Sequence, residues 1–447
     1  MKLRQAFQIT RGDVVALVGA GGKTSTLMAL AHELADEGWR VLTTTTTRIA
    51  EEELRLMPHA IQPQAGAQAI SDALAQHRFT FVYSDIRGGK AYGVDSAAWL
   101  LDSVDADVLI VEADGARRLP FKAPYPHEPV IPPETSLVVP IASVSALGQP
   151  LDDTHVYNAQ AMTDKFGFYP GGAVKSPWIA QVLRDEEMGL RGVPEYARVI
   201  AWLNGTPSSG YLRARARLIA KLTLRSPRVY GVALGSARAS DPVCEVQRTV
   251  GAVILAAGLS RRMGEPKVLL PWTNGTTILE HIIRQLMLAR VDPITVVVGN
   301  RADDVRAVAE RAGARVVFNP DYATGEMLSS LKTGLRSMSA NTAAALVVLG
   351  DQPRLQPRTV DQVLMAYAEG KGEIVAPSYQ MRRGHPILID RRFWKEILDL
   401  PPDGAPRDVI NRYPAQLAHV VVETDSVLRD VDTPEDYRDE RGRAGLG

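Results

Sequence analysis

At 447 residues the chain is too long for one ordinary core, and two units are expected. Its 51 Lys and Arg balance 51 Asp and Glu, so no overall basic field exists to hold nucleic acid or an anionic membrane. Partners are therefore expected among small molecules bound at local sites. A hydrophobic fraction of 45% suits a soluble globular protein, and the lone Cys244 excludes an internal disulfide or a thiolate cluster within one chain. That cysteine usage fits a reducing cytoplasm, as does the lack of an export segment in MKLRQAFQITRGD and of any run of about 18 apolar residues.

The first predicted strand, Val14–Val18, runs through Gly19-Ala20-Gly21-Gly22-Lys23-Thr24-Ser25 into a helix. The apolar face of that helix repeats at Leu27, Leu30, Ala31, Leu34 and Ala35. Glycines followed by a lysine at a helix start bring backbone N–H groups, an ammonium and the helix dipole onto one anion. The loop departs from the strict GxxxxGK[ST] spacing, because Leu17 stands where the first glycine belongs. Thr24 is the expected metal-facing hydroxyl. Asp114, after the strand Val108–Val111, is its expected partner through metal or water.

Further along stand Thr43–Arg48, the EADG of Glu112–Gly115, Lys122-Ala123-Pro124 and His127–Pro132. With the Gly19–Ser25 loop, these segments resemble the selenium-dependent hydroxylase accessory protein (YqeC-like) family over most of residues 10–235. The resemblance implies a role in maturing molybdenum hydroxylases, with a hydroxylase apoenzyme as partner and ATP or GTP as candidate ligands. Leu203-Asn204-Gly205-Thr206 lacks the lysine and aspartate of a guanine-reading NKxD, so guanine specificity has no support. His127 and Glu128 are a candidate metal pair, though isolated pairs between prolines more often shape a loop.

The stretch Gly235–Thr249 is small, polar and broken by Pro242, which places a linker at 236–249 between units at 1–240 and 250–440. The second unit opens on an apolar strand, Ala252–Ala257, leading into Gly258 and a loop with Ser260, Arg262 and Lys267. Alternating patterns follow: helix at Leu279–Leu286, strands Ile294–Val298, Arg315–Phe318 and Ala344–Leu349, helix at Val360–Tyr367, strand Ile374–Ala376. The expected fold is α/β with two domains: a P-loop-like unit, then a Rossmann-like unit of GT-A type with a mostly parallel sheet. The tail Arg438–Gly447, charged and glycine-rich, is expected to fray.

Gly258, Ser260, Arg262, Met263, Gly264, Lys267, Leu270 and Pro271 fit LAAGxSxRMGxxKxLLP and resemble the signature loop of molybdenum cofactor cytidylyltransferase-like (MobA/MocA-like) NTP transferases. The resemblance implies transfer of CMP from CTP to molybdopterin-bound molybdenum cofactor, with Mg2+ as cofactor and pyrophosphate as by-product. Ala256, Ala257 and Gly258 belong to the implied nucleotide site together with Ser260, Ser329 and Ser330. The LAAG form favours cytidine, since relatives using GTP tend to carry glycine where Ala257 stands. Arg262, Lys267 and Asp351 are the implied catalytic set, and the Asp351 of Gly350-Asp351-Gln352-Pro353 is the implied metal ligand. VLRDVDTPEDY offers Asp430 or Asp432 as a second metal ligand, and Asp432 is equally placed to cap the next helix. Gly384-His385-Pro386 is the expected substrate pocket. The residues specify a triphosphate better than an acceptor, leaving guanylyl transfer, a sugar-phosphate acceptor or a non-catalytic cofactor carrier as alternatives.

Overall fold

The computed structural model describes residues 1–446 apart from 56, 58, 95, 96 and 274, and the chain divides into two compact units, Met1–Gln247 and Arg248–Gly447.

In the first unit, strand Val14–Gly19 lies in the middle of a nine-stranded sheet, between Leu137–Ser143 and Val108–Glu112, and is parallel to both. Beyond Val108–Glu112 follow Val41–Thr45, Phe79–Val82 and Ala60–Ile61. Beyond Leu137–Ser143 follow Arg198–Asn204, Gly231–Gly235 and Val243–Arg248. The strands following Val14–Gly19 add on one side, and later ones return to the other. The loop after Gly19 therefore opens at the sheet edge where strand order reverses. Leu17 is fully buried with Leu27, Leu30 and Leu34 of helix Lys23–Asp36, so its side chain fills the sheet face under that helix. Thr43, Thr44 and Thr45 are fully buried as well. Their hydroxyls donate to the carbonyls of Thr80, Val82 and Glu112, which makes the threonine run an interior strand with its polar atoms satisfied.

The supposed linker is part of the fold. Val243–Arg248 is the edge strand of the first sheet, and Glu245, fully buried, accepts from Arg213 and Arg217 of helix Tyr211–Thr223. Its polar composition reflects an edge strand fastened by ion pairs.

In the second unit, Arg315–Phe318, Ile294–Val298, Val250–Ala256 and Ala344–Leu349 run parallel in that order. Ile387–Asp390 then pairs antiparallel with both Ala344–Leu349 and Ile374–Tyr379. Ala252, Ile254 and Val296 face helices Ile278–Leu288 and Pro357–Ala368, while Val253 and Val297 face helix Glu326–Arg336, so both sides of the sheet are covered. Leu255 stands opposite Leu349, which brings the loops after these two strands out at the same sheet end. The tail is more ordered than expected. Helix Pro434–Arg443 is held by Arg441, which donates to the Trp272 carbonyl at 2.9 Å, and by Tyr437, which donates to the Pro271 carbonyl; Gly447 lies outside the described residues. No helix among the described residues is long and apolar enough to cross a membrane.

Candidate active site

After Ala256 the chain turns back on itself. Met263 N–H and Gly264 N–H both donate to the Ser260 carbonyl, Ser260 Oγ accepts from Lys267 N–H at 3.2 Å, and Ser260 takes a left-handed φ of 48°. A Cβ added at Gly258 would meet nothing within 4 Å, so the loop leaves open space there for a ligand.

Lys267 is the centre of the site. Its Nζ lies 2.8 Å from Asp351 Oδ2 and 2.6 Å from Asp432 Oδ1. Burial works against its ammonium, but the two carboxylates outweigh that and hold its pKa above the usual lysine range. Arg262, largely exposed, reaches Asp432 Oδ2 at 3.4 Å.

Asp430 and Asp432 have different partners. Thr433 is the helix cap: its hydroxyl accepts from Asp436 N–H, and the Asp436 carboxylate returns to Thr433 N–H at 2.8 Å. Asp432 is thereby left facing Lys267. Asp430 instead accepts from Gln352 Nε2 at 2.7 Å; burial raises its pKa, and the charges of Asp351 and Asp432 add to the rise.

Backbone contacts lock these segments together, with Val431 N–H donating to the Asp351 carbonyl at 2.9 Å and His385 N–H to the Val427 carbonyl at 3.0 Å. At Gly384 an added Cβ would lie 2.3 Å from the Val427 carbonyl oxygen, so only glycine allows this approach. The His385 imidazole is pushed down to about 4 by burial, with Arg383 adding to the effect, and is neutral at pH 7. Ser329 and Ser330 are tied elsewhere. Both accept from Asn319 Nδ2, at 2.8 and 3.0 Å, and no hydrogen bond links them to Lys267 or Asp351. Asn319, fully buried, is a residue the sequence did not single out. Ala257 is 3% exposed and packs in the cluster that includes Val253, Val297 and Leu328. Glu326, at the start of helix Glu326–Arg336, is exposed.

In the first unit the loop residues also converge. Gly19 N–H donates to both oxygens of Asp114, at 3.1 and 2.9 Å, and Lys23 Nζ lies 3.1 Å from Asp114 Oδ1 and 2.6 Å from the Gly19 carbonyl. Burial disfavours the Lys23 ammonium, yet Asp114 and Glu112 together keep its pKa raised. Thr24 Oγ1 donates to Glu112 Oε2 at 3.0 Å, while the second oxygen of Asp114 is taken by Lys122 at 2.9 Å. Lys122 also meets Glu128 at 3.0 Å. His127 is exposed and stacks on Tyr125, so it does not join Glu128 in a pair. Asn204 Nδ2 donates to the Gly21 carbonyl at 2.7 Å, which makes it a strut under the loop. Ser25, on the first turn of helix Lys23–Asp36, has no side-chain bond described.

Among the described residues, no three of His, Cys, Asp and Glu gather closely enough to hold a metal unaided. Asp351 and Asp432 instead converge on one ammonium, that of Lys267, beside the open space at Gly258.

This α/β fold and loop define a nucleotidyltransferase unit joined to a second α/β unit with its own lysine-bearing loop. Residues 252–419 match the MobA-like NTP transferase domain family and residues 15–160 match the YqeC protein family, and through its first unit the chain belongs to the YqeC family. The protein YqeC of Escherichia coli K12, named as uncharacterized, is 30% identical over 203 residues, covering 43% of this chain and 76% of that protein. The molybdenum cofactor cytidylyltransferase of the same organism is 29% identical over 193 residues, 42% of this chain and 93% of that protein. Nicotine blue oxidoreductase of Paenarthrobacter nicotinovorans is 31% identical over the same length, also covering 42% and 93%. Among solved structures, Rv0371c from Mycobacterium tuberculosis H37Rv is 28% identical, covering 44% of this chain and 99% of that one with a TM-score of 0.39.

Proposed function

We propose that the second unit transfers CMP from CTP to the terminal phosphate of molybdopterin-bound molybdenum cofactor, forming a cytosine dinucleotide and releasing pyrophosphate. The observation that carries this reading is Lys267 held between Asp351 and Asp432 at the mouth of the LAAG loop. Lys267 and Arg262 trade their carboxylate partners for the triphosphate and neutralise charge as it builds on the leaving pyrophosphate. Mg2+, when bound by Asp351 and Asp432 with phosphate oxygens, makes the α-phosphorus more electrophilic. An acceptor phosphate oxygen forms the new bond to that phosphorus as the bond to the β-phosphate oxygen breaks. The acceptor is already anionic, so no general base is required, and the neutral His385 serves binding with Gly384 and Pro386. The cytidylyltransferase relative and the Ala256-Ala257-Gly258 sequence support CTP over GTP.

The first unit, in this reading, binds ATP or GTP through Gly19–Ser25 and assists delivery of the finished cofactor to a molybdenum hydroxylase apoenzyme. The test incubates the full chain with Mg2+, molybdopterin cofactor and either CTP or GTP, and measures pyrophosphate and the dinucleotide mass. CTP-dependent release supports the assignment. Release with GTP alone makes it a guanylyltransferase, and no release with either nucleotide removes cofactor nucleotidylation.

A further inference from the structure

The amino-terminal site contains more charge than a nucleotide loop needs, and that charge is arranged in two sets that meet at Lys23, whose Nζ lies 3.1 Å from Asp114 Oδ1 and 3.9 Å from Glu112 Oε1. Asp114 is 2% exposed, and its two oxygens together take four contacts: both accept from Gly19 N–H, Oδ1 pairs with Lys23 and Oδ2 with Lys122. A carboxylate has about four acceptor positions, so this one is saturated. A cation entering on Asp114 displaces two ammonium groups that are each 4% exposed, and buried charges stripped of a partner are strongly unfavourable. Lys122 is further fixed by the Gly115 carbonyl at 2.6 Å, by Glu128 and by the face of Tyr157, 4.8 Å from the ring centre. Glu112 leaves the adjacent strand two residues earlier and directs Oε2 to Thr24 Oγ1, the hydroxyl on the first turn of helix Lys23–Asp36. Thr45 Oγ1 donates to the Glu112 carbonyl and so holds its backbone in place.

We infer that the two carboxylates divide the work: Glu112 with Thr24 takes the divalent cation of a bound nucleoside triphosphate, while Asp114 remains the counter-ion that holds Lys23 for its phosphates. This rests on the reading of Gly19–Ser25 as a nucleotide loop. It assigns the metal side of the site to Glu112, and leaves Lys122 as the tie that fixes Asp114.

The experiment uses the full chain carrying Lys267→Met and Asp351→Asn, which silences the second unit, and reads the dissociation constants of labelled ATP and GTP by equilibrium dialysis with and without Mn2+. The parent should bind one of them at least about tenfold tighter with Mn2+. Glu112→Gln and Thr24→Val should each bring that ratio close to one, whereas Asp114→Asn should weaken binding with and without metal and keep a ratio above one. A ratio abolished by Asp114→Asn and retained by Glu112→Gln overturns the inference, as does full retention in Thr24→Val. If Asp114→Asn melts the unit, Glu112→Gln and Thr24→Val still decide. A parent that binds neither nucleotide sinks the loop reading itself and this division with it.

Discussion

Lys267 and Asp351 lie 84 residues apart in sequence and 2.8 Å apart in space, at the shared end of two parallel strands paired Leu255 to Leu349. In the proposed reaction this ion pair must open to admit substrate. Asp351→Asn and Lys267→Met are each expected to lower kcat for pyrophosphate release by about 10²-fold or more, because each removes a charge that acts on the transferring phosphates. Asp351 and Asp432 are both partly exposed, so thermal unfolding should change little. A loss of turnover that tracks a loss of folded protein would count against a catalytic role.

Arg354 fastens the segment that carries Asp432. Its Nε meets Glu440 Oε2 at 2.5 Å and its Nη2 meets Asp425 Oδ1 at 2.7 Å, and the Glu440 side chain is only 4% exposed. Arg354→Met should cost about 2 kcal/mol in urea unfolding by leaving the buried Glu440 carboxylate with only the longer Arg443 contact at 3.7 Å. It should also raise the Mg2+ concentration needed for half-maximal rate more than it lowers the rate at saturating Mg2+. An unchanged Mg2+ dependence would reduce Arg354 to a purely structural tie.

Gly22 has φ 128°, and a Cβ there would stand 2.1 Å from Asn204 Nδ2. Gly22→Ala should therefore destabilise the first unit by about 1–3 kcal/mol and abolish its nucleotide binding, since both backbone angle and space are denied. Differential scanning calorimetry with nucleotide titration checks both. Normal binding by this variant would show that the loop does not work in the conformation described.

The pH response of the first unit should centre on Glu245. Burial favours its neutral form, but Arg217 and Arg213 overcome this and hold its pKa below the ordinary value of 4.5. A depressed carboxyl stabilises the fold above its unfolded pKa and loses that contribution as pH falls through the folded value. Melting temperature should consequently drop more steeply below about pH 4.5 in the parent than in Glu245→Gln. Equal slopes would remove Glu245 from the acid response.

Much of this was legible in the sequence because the signals are local. Ile294–Val298, Arg315–Phe318 and Ala344–Leu349 form the expected strands, and an apolar run followed by Gly258 or by Gly350-Asp351 marks the strand end on its own. What escaped depends on partners far along the chain. Asp432 and Thr433 are both good cap residues, and only the folded chain shows that Thr433 caps the helix while Asp432 meets Lys267 across 165 residues. The closing of Asp114 and Glu128 around Lys122, and of Ser329 and Ser330 around Asn319, likewise depends on residues apart in sequence. The 236–249 stretch looked like a linker because an edge strand needs few apolar residues when arginines hold its buried acid.

The most direct test is diffraction from crystals of the full chain soaked with CTP and Mg2+. The account predicts a cation bound by Asp351 and Asp432, with Lys267 Nζ moved onto a phosphate oxygen and the cytosine seated over Gly258. A nucleotide bound away from this loop, or one bound here while Lys267 still pairs with both carboxylates, would contradict it.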